Sequence, residues 1–387
     1  MGKLYLTRSC LPARRASSPA LYFIKFEHCF CLQILLSLSF LVPLSTGYRF
    51  MRFLPFFLLL CVGCGDHLPE SLGPARKIIV LADSTDWQTL EDPLREIFET
   101  VIYTPQAERI YEIALGDVNF LKAHKHEQRK SLMVIAPLNA NHPTAQFVKE
   151  ILSPEVQQAI LDGRAGVTWK KDVWAKDQTL YIVSGKNIET TVENLFMESD
   201  RLYSTLENAV DHSVRENVYS FGERKDVTQE LAETYGWNVR VPFGYRILET
   251  YPNFVVLARD NPNRWLSVYW EDDVHPDQLT EDWVIQKRDD ITGQWFGGDR
   301  IVLGEVTVRQ TEFAGKLAVV LQGLWENEAE WKGGPFKSYA FVDVDLNRLF
   351  FIDIGLYSPN KKKAPILRRV DLVAKSFTIH RAFFQDK

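Results

Sequence analysis

Two rhythms of apolar and polar positions alternate along the chain. Lys77-Ile-Ile-Val-Leu-Ala82 is a short, nearly continuous apolar run, which predicts a strand buried on both faces. Asp83-Ser84-Thr85-Asp86 supplies helix N-cap side chains, and Trp87, Leu90, Leu94, Ile97 and Phe98 then share one helical stripe. Further strands are expected at 109–115, 131–136 and 179–183, with a helix at about 144–161. From Ile188, the apolar positions Val192, Leu195, Leu202, Leu206 and Val210 recur at helical spacing and predict one long amphipathic helix. Strands interleaved with helices over 76–210 indicate an α/β layer domain.

A polar connection is expected at 211–236, closing on a short helix with Gly236 as its C-cap. Beyond it the strand rhythm dominates, at 239–250, 254–258, 265–270, 304–311, 316–323, 337–344 and 349–354. A helix interrupts it at 280–291, and Asp345-Leu-Asn-Arg348 reads as a hairpin turn. The last helix has Pro365 near its first position, with Ile366, Val370, Val373 and Phe377 on one face. Residues 237–380 thus read as a mainly antiparallel sheet packed against helices. The fold class expected is α+β / α/β, with two layered sheet-plus-helix domains.

The first 64 residues follow another pattern. Residues 51–64 read Met-Arg-Phe-Leu-Pro-Phe-Phe-Leu-Leu-Leu-Cys-Val-Gly-Cys, a cation, an apolar run too short to span a bilayer as a helix, and a cysteine behind a small residue. Val62-Gly63-Cys64 resembles the lipobox of bacterial lipoproteins, with Cys61 where Leu is usual. A thiol at the new N-terminus would take a diacylglycerol, so Cys64 is the expected lipidation site and 65–75, with Pro69 and Pro74, a tether. A second apolar run at 29–44 makes little sense in the same export signal. Residues 1–50 are therefore read as an over-extended gene start, with translation from Met51; the competing reading is a membrane anchor built from both runs.

Composition bounds the chemistry of the body. All five cysteines lie at or before Cys64, so the body has no disulfide framework, thiolate metal site or cysteine nucleophile. Of 45 Lys+Arg and 50 Asp+Glu in 387 residues, seven basic and one acidic residue precede position 65, which leaves the body with a net charge of −11. Such a body is not expected to bind nucleic acid.

Candidate chemistry is sparse. His124-Lys125-His126-Glu127 stands among lysines and arginines that repel a metal cation, and Glu271-Asp272-Asp273-Val274-His275 lacks the glycine turn and distal Glu of a calcium loop. Asp343-x-Asp345-x-Asn347 begins like a calcium loop but has Arg348 at position six. Ser358-Pro-Asn-Lys361 matches Ser-x-x-Lys only by count, because Pro359 argues against the helical turn that pairing needs. No metal and no cofactor are expected. What stands out is tryptophan: all ten lie in the body, six of them from Trp265 to Trp331. Their flat faces suit stacking on sugars or peptides, or else fill a sheet domain's core. Gly333-Gly334-Pro335-Phe336, behind Trp331, reads as a turn whose backbone could approach a ligand closely.

Val241-Pro242-Phe243-Gly244-Tyr245 and Ser376-Phe377 resemble the domain shared by photosystem extrinsic subunits and Mog1-like proteins, in which the first motif opens a sheet and the second ends the last helix. Over about 75–378 the chain also resembles a family of Bacteroidota lipoproteins known only as a domain of unknown function. The shared pieces are Trp174-Ala175-x-x-Gln178, Arg288-Asp289, Gly323-Leu324-Trp325, Gly333-Gly334-Pro335-Phe336 and Tyr357-x-Pro359, followed by Lys361 to Lys363 and Arg368. Gln322 departs from the family's Arg before Gly-Leu-Trp, and Arg109 stands after Thr104-Pro105-Gln106-Ala107-Glu108 where the family has Pro. This resemblance implies export and lipidation and no established activity.

Together these readings lead us to expect a non-enzymatic lipoprotein of the cell envelope, held by its N-terminal lipid at the outer membrane or periplasmic face and binding an envelope glycan, peptide or protein. Trp325, Trp331, Gly333, Gly334 and Phe336 are the expected contact surface, with Arg288 and Asp289 as polar contacts; no catalytic residue is assigned. The rival expectation is an envelope hydrolase using carboxylates of the second domain, such as Asp289 and Asp290.

Overall fold

A computed structural model describes residues 68–385, so the signal segment, Cys64 and residues 1–50 lie outside the described residues. The chain is α+β. Its first sheet contains β1 (Lys77–Leu81), β4 (Glu112–Gly116), β5 (Ser131–Ile135), β6 (Val167–Lys171) and β7 (Thr179–Val183) in the order β4-β1-β5-β7-β6. A hairpin of β2 (Val101–Tyr103) and β3 (Ala107–Arg109) stands apart, splitting the single strand expected at 109–115. β4, β1, β5 and β7 run parallel, and only the edge strand β6 is antiparallel.

The alternating side chains of the apolar runs bury both faces of this sheet. Ile78, Val80, Met133, Ile135, Tyr181 and Val183 pack beneath α1 (Ser84–Phe98), α4 (Ile188–Met197) and α5 (Ser199–Tyr219). Ile79, Leu81, Leu132, Val134, Leu180 and Ile182 pack beneath α2 (Pro143–Ile151) and α3 (Pro154–Leu161). Asp83 caps α1 by accepting from Thr85 N at 2.9 Å, as its position before the apolar stripe predicts. Two expected helices are each broken in two. Pro154 drives Ser153 into an extended conformation, so α2 ends and α3 restarts with its own serine cap. Glu198, at φ −103° and ψ 9°, separates α4 from α5 without a proline or a side-chain cap, and α5 continues to Tyr219 through much of the expected connection.

The second domain begins with α6 (Lys225–Tyr235), capped by Gly236 in the left-handed region. The short strand β8 (Trp237–Asn238) follows it and later pairs with β16 (Thr378–Ile379). Val241 to Tyr245 then forms a turn, with Gly244 at φ 86°, rather than part of a continuous strand. A seven-stranded antiparallel sheet has the order β12-β13-β14-β15-β11-β10-β9. Its strands are β9 (Arg246–Tyr251), β10 (Phe254–Arg259), β11 (Asn263–Asp272), β12 (Arg300–Phe313), β13 (Lys316–Asn327), β14 (Lys332–Asp343) and β15 (Arg348–Tyr357). One face packs on α7 (Glu281–Trp295), the other on α6 and α8 (Ala364–Ala374).

Helix α8 also joins the two domains. It has no side-chain cap of its own: Lys363 N and Ala364 N donate to the Glu108 carboxylate of the first domain at 2.7 and 3.0 Å. One turn on, Arg368 donates through Nε to Asp211 at 2.6 Å and through Nη1 to the Tyr111 hydroxyl at 3.2 Å. Lys362 meets Glu112 at 2.7 Å. Breaking a mostly buried charged pair leaves its partner uncompensated, so Arg368→Ala is expected to lower the stability of the full chain by about 2–4 kcal/mol. The exposed neighbour Arg369, changed to Ala, is expected to cost less than about 0.5 kcal/mol. Equal losses in urea denaturation would show that α8 does not hold the domains together.

Candidate functional site

Arg288, Trp325, Gly334 and Phe336 come together, but in the interior between α7 and the second sheet, and half-buried Asp289 is not among them. Arg288 is 1% exposed; its Nε donates to Asp353 Oδ1 at 2.8 Å, and its guanidinium lies 3.5 Å from the centre of the Phe336 ring. Asp353 is 1% exposed and also accepts from Ser338 Oγ at 2.5 Å. Ser338, Asp353 and Ser267 are cross-strand partners, which sets a polar row into an apolar face. Arg288 Nη1, Asp353 Oδ2, Ser267 Oγ and the indole nitrogens of Trp265, Trp295 and Trp325 are buried without a hydrogen-bond partner. Asp289 faces the start of β12, where it accepts from Ile301 N at 2.7 Å.

The expected contact surface is therefore divided. Trp325 is 4% exposed and crosses Trp265 edge-on at 5.3 Å, whereas Trp331 is 92% exposed. Gly333 to Phe336 is not a turn; it is the start of β14, and the turn precedes it, with Trp331 at φ 54°. Its glycines serve close packing instead of unusual backbone angles. A Cβ on Gly334 would lie 2.0 Å from Leu356 O, and one on Gly355 would lie 2.3 Å from the Trp265 ring.

The carboxylates that a hydrolase would use do not converge in a cleft: Asp289 is tied to the start of β12, and Asp290 is exposed and accepts from Gln286 at 2.8 Å. Asp299 is buried, which pushes its carboxyl up to about 6, and its Oδ1 accepts from Asn327 at 2.8 Å. The acidic run at 271–275 is spent on neighbours: Glu271 meets Lys287, Asp272 meets Arg348, and Asp273 accepts from Asn347. Among the described residues no group of three metal-ligating side chains assembles.

An open cleft of about 480 Å³ lies elsewhere, at the carboxyl ends of β1 and β4 and against the first turns of α1 and α2. No local sequence motif marks it as a site, because its walls come from separated segments. Asp83 and Ser84 follow β1, Asp117 and Asn119 follow β4, and His124 and His126 come from the succeeding loop. This is where an open α/β sheet forms a crevice: α1 leaves β1 over one face and α2 leaves β5 over the other. His142 spans that divide. Its Nδ1 accepts from Ala145 N at 3.1 Å and its Nε2 lies 2.8 Å from Asp86 Oδ2, tying α2 to α1. Burial holds the Asp86 carboxyl above its ordinary value despite this partner.

The two tryptophans give the sharpest check on this division between interior and surface. Trp325→Ala is expected to cost about 3–5 kcal/mol, as for a large buried ring, and Trp331→Ala less than about 0.5 kcal/mol. Thermal and urea unfolding measure both, and similar losses would contradict the placement.

Residues 71–218 match the family described as domain of unknown function DUF8532, and residues 224–376 match domain of unknown function DUF4837. No match to a curated protein was found. Among solved structures, the Ran-binding protein Mog1p of Saccharomyces cerevisiae is 13% identical over 39% of this chain and 95% of its own, with a TM-score of 0.29. LpqN of Mycobacterium tuberculosis, described as involved in cell envelope biogenesis, is 12% identical over 37% of this chain and 82% of its own, with a TM-score of 0.26. A Bacteroides thetaiotaomicron structure is 7% identical over 37% of this chain and 45% of its own, with a TM-score of 0.24. Two consecutive stretches of the chain thus match families of unknown function, in keeping with the unknown-domain family that its sequence resembles.

Proposed function

We propose that the chain is an exported cell-envelope lipoprotein, acylated at Cys64 and held at the outer membrane or periplasmic face, that works by binding an envelope glycan, peptide or protein. The observation that supports this reading is that the chain is already held in the fold at residues 69–72, a few positions after Cys64. The stretch expected to be a tether is largely part of the fold: Leu72 N donates to Gln128 O at 2.6 Å and Lys176 N to Pro69 O at 2.9 Å. Lys130 Nζ adds a bond to Ser71 Oγ at 3.0 Å. Three residues separate Cys64 from Leu68, and four Cα steps reach at most about 14 Å. An acylated Cys64 would therefore hold the body close against the bilayer by the amino ends of β1, β5 and β7.

The cleft opens at the carboxyl ends of the same parallel sheet, so it would face away from the lipid, toward the envelope. No helix among the described residues is long and apolar enough to cross a membrane.

Metabolic labelling with palmitate, followed by fractionation and mass analysis of the mature N-terminus, tests the anchor. The expected result is label on a chain starting at acylated Cys64, with Cys64→Ala losing the label and leaving the membrane fraction. An unlabelled chain that retains the residues before Cys64 would overturn it.

A further inference from the structure

We infer that the cleft between the first turns of α1 and α2 is a binding site for a neutral, hydroxyl-rich carbohydrate. This deepens the proposed binding role by naming its ligand class, and it rests on that reading. At about 480 Å³ the cleft falls within the range of about 300–1,000 Å³ usual for small-ligand sites.

The charge balance decides the class. None of the residues lining the cleft is a lysine or arginine, and two of them, Asp83 and Asp117, are carboxylates, so an anion is repelled. Neither carboxylate calls for a cation, because each is already met by local donors: Thr85 N and Oγ both donate to Asp83 Oδ1 at the amino end of α1, and Asn119 N donates to Asp117 Oδ1.

What remains suits hydroxyl groups. Asp83 Oδ1 accepts from Thr85 N, and Asp117 Oδ1 from Asn119 N at 2.8 Å. Each carboxylate keeps a second oxygen as an acceptor, and the Ser84 hydroxyl and Asn119 amide add groups that can donate or accept. The Nδ1 atom of His126 is buried without a partner.

The second requirement of sugar recognition is a flat apolar surface for the C–H face of the ring. Phe120 is 49% exposed and stacks on His124 at 5.3 Å, with 18° between the ring planes. His124 in turn meets His126 edge-on at 5.3 Å. The exposed Phe120 ring thus stands at the rim beside the cleft wall, in contact with His124 and through it with His126, and offers a face on which a pyranose at the cleft mouth could stack.

The test is calorimetric titration of the detergent-purified full chain with cellotetraose, maltotetraose and tetra-N-acetylchitotetraose. A tetragalacturonate and a chitosan tetramer serve as the anionic and cationic counterparts. The expected result is binding of at least one neutral tetrasaccharide, weakened about tenfold by Phe120→Ala and by Asp117→Asn with unchanged melting curves. Trp331→Ala is expected to leave that affinity unchanged. No binding to any neutral sugar, binding only to a charged tetramer, or full affinity in Phe120→Ala would overturn the inference. The titration does not depend on the acyl chains, so its failure would be distinct from a failure of palmitate labelling at Cys64.

Discussion

Because β1, β4, β5 and β7 run parallel, their amino ends share one end of the first sheet and their carboxyl ends the other. The anchoring and binding proposed for the first domain both rest on that constraint. Residues 69–72 are pinned beside residues that precede β5 and β7, whereas the cleft is built from residues that follow β1 and β4. A five-residue strand spans about 16 Å, so the proposed attachment and recognition ends would be kept apart by the length of the sheet itself. The His142–Asp86 contact adds rigidity where the two helix layers would otherwise part over the sheet's top edge. A site whose walls are fixed in this way loses little entropy when a ligand enters.

The second domain contributes burial and connection. Its sheet is covered on both faces, and the Arg288–Asp353 pair lies within the layer beneath α7. Replacing such a pair with apolar residues is often neutral or stabilising, whereas removing one partner is costly, so its presence favours one packing arrangement over others. Helix α8 lies against the opposite face and reaches across to Glu108, Tyr111 and Asp211. The basic residues near 361–368, which resemble the family's pattern, thereby gain a structural role as the bridge between the domains.

Local chemistry explains how much of this was legible from sequence. The apolar run at Ile78 to Leu81, the Asp83 cap and the Gly236 cap each depend on neighbours in the chain, and the structure contains all three. The breaks at Ser153 and Glu198 were harder to see, because the apolar spacing continues across both while the backbone does not. Trp325 and Trp331 are chemically the same and six positions apart, yet one is core and the other is solvent-facing. Strand register and the β13–β14 turn decide that difference. The glycines at 333 and 334 carried a real signal of close approach, but the approaching group is the chain's own Leu356 carbonyl and Trp325 ring. The cleft was illegible because Asp83, Asp117 and His126 become neighbours only through a parallel crossover.

The anchoring geometry can be read directly from depth on a membrane. The body contains no cysteine after Cys64, so Lys176→Cys and Asn119→Cys each offer a single labelling site in the acylated chain. With each fluorophore-labelled protein on liposomes carrying a headgroup quencher, the position at 176 should be quenched strongly and that at 119 weakly. Equal quenching, or stronger quenching at 119, would contradict a body held by the amino ends of its parallel strands with the cleft turned outward.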